Sequence, residues 1–490
     1  MPYIDDLLNK ITMYRLLLWG LAALAALAVG LSFVGLLAYD TVGMLISLAV
    51  LIAACYFSNF AFAYFFKATR NIESAYITAL ILFFILAPTA GMSDVWWTLA
   101  AGVIAMGSKY ILAIRKKHVF NPAAITAVIL SVAGSGMAIW WIATPVLLPG
   151  ALVLGLLVVR KLRRFDLFWS FIITIIVATV AYALYTGTPV WNSLLERTTS
   201  WPFVFFATIM LTEPLTTPPG RLLRVLYGVI VALLCSVSFH IGALYSTPAL
   251  ALVLGNIFSY IVSPKQRLAL RFVSRKQLSA NVYEFAFEPS ARLAFIPGQY
   301  MEWTLPHQKP DSRGNRRYFT IASAPGQEHI KLGVRTAPSS SSFKKALMRL
   351  DEGSMLSATS LAGDFTLPHD ITKPLVFIAG GVGITPFASM LRDVIARAER
   401  RDIVLIYAAS SQEDFAYTDL LKEAEDRVGL KVLRTTGFIT REMIERDVPR
   451  WQGRVFYLSG PNAMVRTYRK LLIGLSVPRL NIKTDYFPGF

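Results

Sequence analysis

The chain is short of charge, of histidine and above all of cysteine. Only 16% of its 490 residues are charged, against about a quarter in a soluble globular protein. The shortage sits in one half. From Met13 to about Val262 the sequence is nearly continuous Leu, Ala, Val, Ile and Phe, whereas from Pro264 onward charged and apolar residues mix. Composition therefore divides the chain into a part suited to a membrane and a part of soluble character. Two cysteines, Cys55 and Cys235, cannot supply a four-thiolate iron–sulfur centre. Both lie in apolar stretches, where a small buried residue is the simpler reading than a disulfide scaffold. The apolar half holds only His118 and His240. The topology below puts them on opposite sides, which excludes a haem between paired axial histidines. No metal site is expected.

The net charge is +18. Nucleic acid is one reading of such an excess, but here the basic residues cluster between apolar segments, so no nucleic-acid partner is expected. The apolar run after Arg15 reaches Tyr39, too long for the core of a signal peptide, and reads as a retained first helix. Ten candidate spans follow, roughly at 14–38, 42–66, 74–90, 93–113, 121–137, 139–160, 167–186, 201–213, 222–240 and 243–262. Ten crossings put Lys10 and Arg15, Lys67 and Arg70, Arg115 to Lys117, Arg160 to Arg164, Arg221 and Arg224, and Lys265 and Arg267 on one side. That satisfies the positive-inside rule. It predicts a multi-pass protein of the cytoplasmic (inner) membrane, with lipid around it and both termini in the cytosol.

Some polar residues interrupt this half: Asn59, Asn71, Glu73, Thr78, Lys109, Asn121, Glu213, His240 and Asn256. An ionisable group at membrane depth is a functional candidate; the bland alternative is that Glu73, Lys109 and Glu213 pair or snorkel at helix ends. Asn121-Pro122 suits a helix start. Thr212-Glu213-Pro214, with the prolines and Gly220 beyond it, suits a rigid turn.

Phe120-Asn121-Pro122-Ala123, Thr212-Glu213-Pro214 and the stretch 71–82 resemble the membrane flavin subunits of the Rnf and Na⁺-pumping NADH:quinone oxidoreductase complexes, the RnfD/NqrB family. That resemblance, over about 14–262, implies ten helices and a bound FMN or riboflavin near Asn121, Thr212 and Glu213. It also implies membrane partner subunits. The covalent flavin threonine of that family is matched only by Thr188 in Thr186-Gly187-Thr188-Pro189, without the family's alanine. Non-covalent flavin is therefore the expectation.

In the soluble part, residues 268–305 alternate apolar and polar with period two, the pattern of an antiparallel barrel. From Pro374 strands alternate with helices: LVFIAG, GVGITPFASMLRDVIARA, IVLIYAAS, FAYTDLLKEAEDR and RVFYLSG, then a helix from Asn462. This predicts a parallel sheet with crossover helices. In RRYFTIAS, Arg317 offers a fork to phosphate, Phe319 an aromatic face and Thr320 a hydroxyl for a flavin edge. A surface arginine and a core aromatic are the plain alternative. Ser341 and Ser342, before a helix, can hold phosphate or simply cap. Gly380, Gly381 and Gly383, between strand and helix, allow close backbone approach to a dinucleotide. Ser459, Gly460 and Pro461 end another strand, where ligands of open α/β sheets bind.

Together these elements resemble the ferredoxin–NADP⁺ reductase family over 265–490. Arg317, Tyr318, Phe319 and Thr320 match its flavin motif, and Ser341 and Ser342 its pyrophosphate serines. GGVGITPF, with Thr385 and Pro386, matches its nicotinamide-side glycine motif. SGPNAM, from Ser459 to Met464, matches its cysteine-led motif with serine in the cysteine slot. Val334 and Phe490 are carried over as further cofactor contacts. The resemblance implies FAD, NADH or NADPH, and Thr320 and Ser459 as the catalytic pair. Glu413 and Asp414 after the second strand disfavour a 2′-phosphate and lean toward NADH.

The expected domains are 1–263 (membrane, flavin-binding), 264–370 (FAD-binding barrel) and 371–490 (NAD(P)-binding α/β). The expected function is an NAD(P)H dehydrogenase passing electrons through FAD and a membrane flavin to a quinone or an extracytosolic flavoprotein. The alternatives are a haem-free transmembrane reductase of metals or small molecules, a redox-driven ion pump, and a binding subunit without catalysis.

Overall fold

The computed structural model describes residues 4, 7–8, 11–67, 71–114, 117–199, 201–242, 244–263, 268–308, 310–311 and 314–487. The chain forms two compact units, Met1–Lys265 and Gln266–Phe490.

Unit one is helical: α1 (Met13–Phe33), α2 (Thr41–Phe65), α3 (Ile72–Ile85), α4 (Met92–Ile111), α5 (Pro122–Val132), α6 (Leu148–Leu162), α7 (Phe165–Thr186), α8 (Val190–Thr199), α9 (Arg221–Ser236) and α10 (Pro248–Val262). The expected bundle of ten membrane-spanning helices is corrected here. Among the described residues only α1, α2 and α7 are long and apolar enough to cross a membrane. Of the others, α4 has the length, 20 residues, but is not apolar enough, with Asp94 and Lys109 at its ends; the remaining apolar segments do not continue as helix far enough. At about 1.5 Å per residue against an apolar core of about 30 Å, the 14 residues of α3 and the 11 of α5 fall short. After α3 the chain turns extended: Leu86 bridges Ala138, and the Ala87 N–H donates to the Met137 carbonyl at 2.7 Å. The segment expected at 201–213 breaks into a helical turn, Phe203–Phe205, and a π-helical turn, Phe206–Met210. Hydropathy registers apolar composition and is blind to these interruptions. The placing of every basic cluster on one side depended on ten crossings and loses that basis.

The long helices approach closely through small residues, as membrane helices do. A Cβ on Gly102 of α4 would stand 2.5 Å from the Ala54 Cβ of α2, and one on Gly228 of α9 would stand 2.2 Å from the Ser170 Oγ of α7.

Unit two begins with a six-stranded antiparallel sheet built from β1 (Leu268–Ser279), β2 (Val282–Pro289), β3 (Tyr300–Thr304), β4 (Arg316–Thr320), β5 (Ile330–Arg335) and β6 (Met355–Ala362), with α11 (Ser342–Leu347) between the last two. The order is β4-β3-β6-β1-β2-β5, and a bridge between Ile321 and Leu332 closes it into a barrel. Alternation turns Met301 and Trp303 of β3 inward, onto a core with Phe272, Phe285 and Phe287. A parallel sheet follows: β7 (Leu375–Gly380), β8 (Ile403–Ala408), β9 (Lys431–Thr435), β10 (Val455–Pro461) and β11 (Ile482–Phe487). α12 (Thr385–Ala396), α13 (Thr418–Val428), α14 (Arg441–Asp447) and α15 (Asn462–Gly474) connect its strands. The order is β9-β8-β7-β10-β11. All six residues of β7 are buried, as a central strand covered on both faces must be. The chain runs outward from β7 to β9, then returns to lay β10 on the other side of β7. The strand order thus reverses between β7 and β10.

Candidate active site

A reversal of this kind opens a crevice at the carboxyl ends of the strands flanking it. Gly380 and Gly381 leave β7 there, and Ser459, Gly460 and Pro461 end β10, with Ala379 and Ser459 in register. A 3₁₀ turn, Gly381–Ile384, leads straight into α12 with Pro386 in its first turn. The glycines here are required by space. A Cβ on Gly383 would lie 2.3 Å from the Ser459 carbonyl oxygen and 2.7 Å from the Gly460 Cα; one on Gly380 would lie 2.1 Å from the Met464 sulfur. Gly381 also has φ +53°, in the left-handed region. The structure therefore brings Gly380, Gly381, Gly383, Ser459, Gly460, Pro461 and Met464 to one place. Thr385 is held at its edge by its hydroxyl, which donates to the Val382 carbonyl at 2.7 Å. The Ser459 hydroxyl is fully buried and has no hydrogen-bond partner among the described residues. Such a group costs about 1–3 kcal/mol unless something pairs with it. A bound ligand is one such partner.

The barrel supplies a second orphan hydroxyl. Thr320, at the end of β4, is 2% exposed, and its Oγ1 likewise lacks a partner among the described residues. Phe319 and Arg317 share the inner side of β4, and both meet Phe343. The Phe319 ring is 5.7 Å from that ring and the Arg317 guanidinium 5.5 Å above it. Tyr318 points the other way, 53% exposed, edge-on to Tyr300. Val334 is buried on β5. Ser341 caps α11. Ser342 is tied into the same corner: its Oγ accepts from the Asp311 backbone N–H at 2.9 Å and lies 3.0 Å from His307 Nε2. Phe490 lies outside the described residues.

Several residues of this unit escaped the sequence reading. Arg317 Nη2 donates to both Asp311 oxygens, at 2.9 and 3.2 Å, so the fork expected for phosphate is already oriented by a carboxylate. Tyr407 donates to the Gly381 carbonyl at 3.2 Å and accepts from the Ala416 N–H, which fixes the glycine turn. Burial pushes its phenol up to about 12. Glu284 of β2 and Arg392 of α12 form an ion pair at 2.9 Å, with side chains only 8% and 13% exposed. Beside them Tyr417 is held well above the usual phenol range, by burial first and by the Glu284 charge second. Ser389 and Arg392 of α12 also donate to the Ser323 and Ala322 carbonyls just after β4. Barrel and sheet are joined there, next to Thr320. No motif flagged these pairs, because their partners lie 66 to 108 residues apart.

Residues 377–470 match the oxidoreductase NAD-binding domain family. A flavohemoprotein of Bacillus thuringiensis is 29% identical over 216 residues, covering 40% of this chain and 53% of its own length. The chain thus spans about half the length of the curated relatives it matches. Among solved structures, an Amycolatopsis cytochrome P450 reductase is 24% identical with a TM-score of 0.42, covering 46% of this chain and 71% of the other. The flavohem-like FAD/NAD binding domain of a Vibrio cholerae nitric oxide dioxygenase is 19% identical with a TM-score of 0.40, covering 45% and 98%. These relatives correct the resemblance drawn for residues 14–262. They are flavohemoproteins and reductase domains, not RnfD/NqrB membrane flavin subunits.

The residues singled out in unit one fall in two places. Asn121 caps α5, accepting from the Ala123 and Ala124 N–H groups, and its Nδ2 donates to Glu213 Oε2 at 2.9 Å. Glu213 also faces His118 Nε2 at 3.3 Å and accepts from the Thr216 hydroxyl. Asn256 accepts from the Asn121 N–H and donates to the Tyr227 hydroxyl. Thr212, fully buried, donates to the Thr208 carbonyl. Asn121, Glu213 and Asn256 thus meet in one satisfied network. Thr188 is apart from it, exposed, bonded to Thr186 and Ser193. Glu73 pairs with Arg15 at 3.2 Å, and Lys109 donates to Ser74 and Thr78.

Proposed function

We propose that this chain is a membrane-associated, NAD(P)H-dependent flavin oxidoreductase. Residues 264–370 would bind FAD and 371–490 the nicotinamide dinucleotide. When bound, these two groups supply the hydride chemistry. The observation that carries the reading is the crevice at the strand-order reversal, where the glycines of β7 and β10 leave room beside the buried, partnerless Ser459 hydroxyl.

In this reading Gly380, Gly381 and Gly383 admit the dinucleotide to backbone distance, and Ser459 donates its hydroxyl to it. Thr320 donates to the flavin edge, Phe319 covers its face, and Arg317, oriented by Asp311, binds phosphate with Ser341 and Ser342. Both hydroxyls gain the partner they lack, so binding removes a desolvation cost already carried by the fold. Glu413 and Asp414, in the turn after β8, favour NADH over a cofactor with a 2′-phosphate.

The three long apolar helices associate the chain with a membrane. Arg15 in the first turn of α1, Lys67 after α2, and Arg160 to Arg164 before α7 put those ends on the cytosolic face by the positive-inside rule. We place the reductase unit in the cytosol with its dinucleotide, which requires the chain to return across the membrane after α7. The acceptor we propose is a quinone, an apolar oxidant dissolved where unit one resides.

The deciding experiment is acid extraction of flavin from purified full-length protein, with oxidation of NADH and NADPH followed using ferricyanide and then a short-chain quinone. We expect one FAD per chain, NADH preferred, and quinone reduction. Failure to retain FAD after reconstitution, or no dinucleotide oxidation with ferricyanide, sinks the reading. A second flavin, as FMN or riboflavin, would locate a further carrier in unit one. Loss of the quinone step alone would remove only that acceptor.

A further inference from the structure

α7 is 22 residues long. At about 1.5 Å per residue that is about 33 Å, enough to carry the chain across an apolar layer about 30 Å thick. Its outward side chains suit that path. Ile173, Ile176 and Val177 are exposed along its middle, and Tyr182 and Tyr185 are exposed in its last turns. Exposed tyrosines at such a helix end mark the level of lipid headgroups.

α8 starts at this level. Only Gly187, Thr188 and Pro189 separate the two helices. Gly187, with φ +70°, turns the chain, and the Thr188 N–H donates back to the Ala183 carbonyl at 3.0 Å. A row of hydroxyls ties α8 to the end of α7. Thr186 Oγ1 lies 3.0 Å from Thr188 Oγ1, which lies 3.3 Å from Ser193 Oγ. Near the other end of α8, the Arg197 guanidinium stands 4.7 Å over the Trp201 ring, and Trp201 stacks on Phe203 at 5.3 Å. Contacts at both ends thus set the rotation of α8 about its own axis.

Residues four apart share a face of a helix, so α8 presents four such pairs in turn round its circumference. Val190 and Leu194 are half-buried. Trp191 and Leu195 are 73% and 50% exposed. Asn192 and Glu196 are exposed, and Ser193 and Arg197 are half-buried. The exposed half is therefore split lengthwise into an apolar stripe and a polar one. A helix whose open side meets only water carries polar residues over all of that side. A helix lying in a membrane boundary carries both, one stripe toward acyl chains and one toward water.

We propose that α8 is an interfacial helix, lying in the plane of the leaflet where α7 ends. Trp191 and Leu195 sit in the boundary between headgroups and acyl chains, and Asn192 and Glu196 face water. Lipid is the partner of the apolar stripe because α8 packs against α7, a helix long and apolar enough to cross a membrane. The adjoining end of α7 exposes Tyr182, Leu184 and Tyr185, so the two helices offer one apolar surface. The inference rests on membrane association of α7 and not on the reductase reading.

The test uses full-length protein in phosphatidylcholine nanodiscs. Cys55 and Cys235 are buried, so a nitroxide thiol reagent labels introduced cysteines. Trp191→Cys, Asn192→Cys, Leu195→Cys and Glu196→Cys are labelled singly, with Val177→Cys as a probe of α7 itself. Power-saturation electron paramagnetic resonance then compares collisions with oxygen, which concentrates in lipid, and with a water-soluble nickel chelate. The oxygen-to-nickel ratio should be about threefold or more higher at Trp191 and Leu195 than at Asn192 and Glu196. Equal ratios at all four positions, with oxygen dominant at Val177, overturn the proposal and leave membrane association standing. Nickel dominant at Val177 removes both. Spin–spin broadening at Trp191 or Leu195 that vanishes on dilution with unlabelled protein would make the stripe a contact between two copies and overturns the lipid assignment. Should Trp191→Cys fail to fold, Leu195→Cys against Glu196→Cys decides by the same ratio.

Discussion

Gly383 and Ser459 are pressed together across the crevice, so that a single methyl group on Gly383 would stand 2.3 Å from the Ser459 carbonyl oxygen. The obstacle is backbone in a buried parallel strand, which cannot rotate aside as a side chain can. Gly383→Ala should therefore shift the turn from β7 to α12 and cost about 1–3 kcal/mol, the usual range for overpacking. Ferricyanide reduction by NADH should fall at least tenfold while FAD content stays near that of the parent. A variant with undiminished turnover would show that the dinucleotide does not use this crevice.

Thr320 and Ser459 allow stability and chemistry to be separated. Each hydroxyl is buried and without a partner among the described residues, so removing it from the ligand-free protein relieves a desolvation cost. Thr320→Val and Ser459→Ala should leave ligand-free thermal stability unchanged or higher. If the hydroxyls bind the cofactors, flavin reduction measured by stopped flow should slow about tenfold, the equivalent of about 1.4 kcal/mol. Reduced stability with normal reduction rates would make both residues structural.

The Glu284–Arg392 pair ties β2 of the barrel to α12 of the parallel sheet. Removing one partner of a buried ion pair strands the other and costs about 3–5 kcal/mol. Glu284→Gln should lower the unfolding temperature of the flavin-bearing unit sharply, followed by flavin fluorescence. Adding Arg392→Met should recover part of the loss. A double variant as unstable as the sum of the singles would show that the two side chains do not act as a pair.

Alkaline stability follows from the buried phenols. Burial pushes Tyr407 and Tyr457 up to about 12, while an unfolded tyrosine ionises near 10. Between those values the folded chain keeps protons that the unfolded chain releases, so stability falls as pH rises from about 10 toward 12 and is complete below that window. Denaturant unfolding of the full chain at pH 8, 10 and 11 should show this slope. Tyr407→Phe should flatten it while losing about 1 kcal/mol at pH 8 through its two hydrogen bonds. An unchanged slope would remove Tyr407 as its source.

What could be read from the sequence was local. The strand, glycine turn and helix from Leu375 to Ala396 are legible because apolar period, glycines and Pro386 lie side by side. Gly460 and Ser459 are legible for the same reason. Their meeting with Gly383 is a property of strand order, which periodicity does not encode. Asp311 could not be matched to Arg317, nor Glu284 to Arg392, because neither spacing is that of a helix turn or a hairpin. In unit one Asn121, Glu213 and Asn256 stood out as polar residues in apolar surroundings, and they meet. The helix breaks after Ile85 and within 201–213 did not stand out, because their residues are as apolar as a continuous span.

The reversal of strand order also has a consequence during synthesis. β7 must wait for β10, whose first residue, Val455, pairs with Leu375, a partner 80 positions earlier. Parallel pairings over such separations form slowly. On a ribosome, the barrel can close while the nucleotide crevice still has one wall. A nascent chain halted before Val455 would present a folded barrel and an unfinished sheet edge to chaperones, and no dinucleotide could protect it.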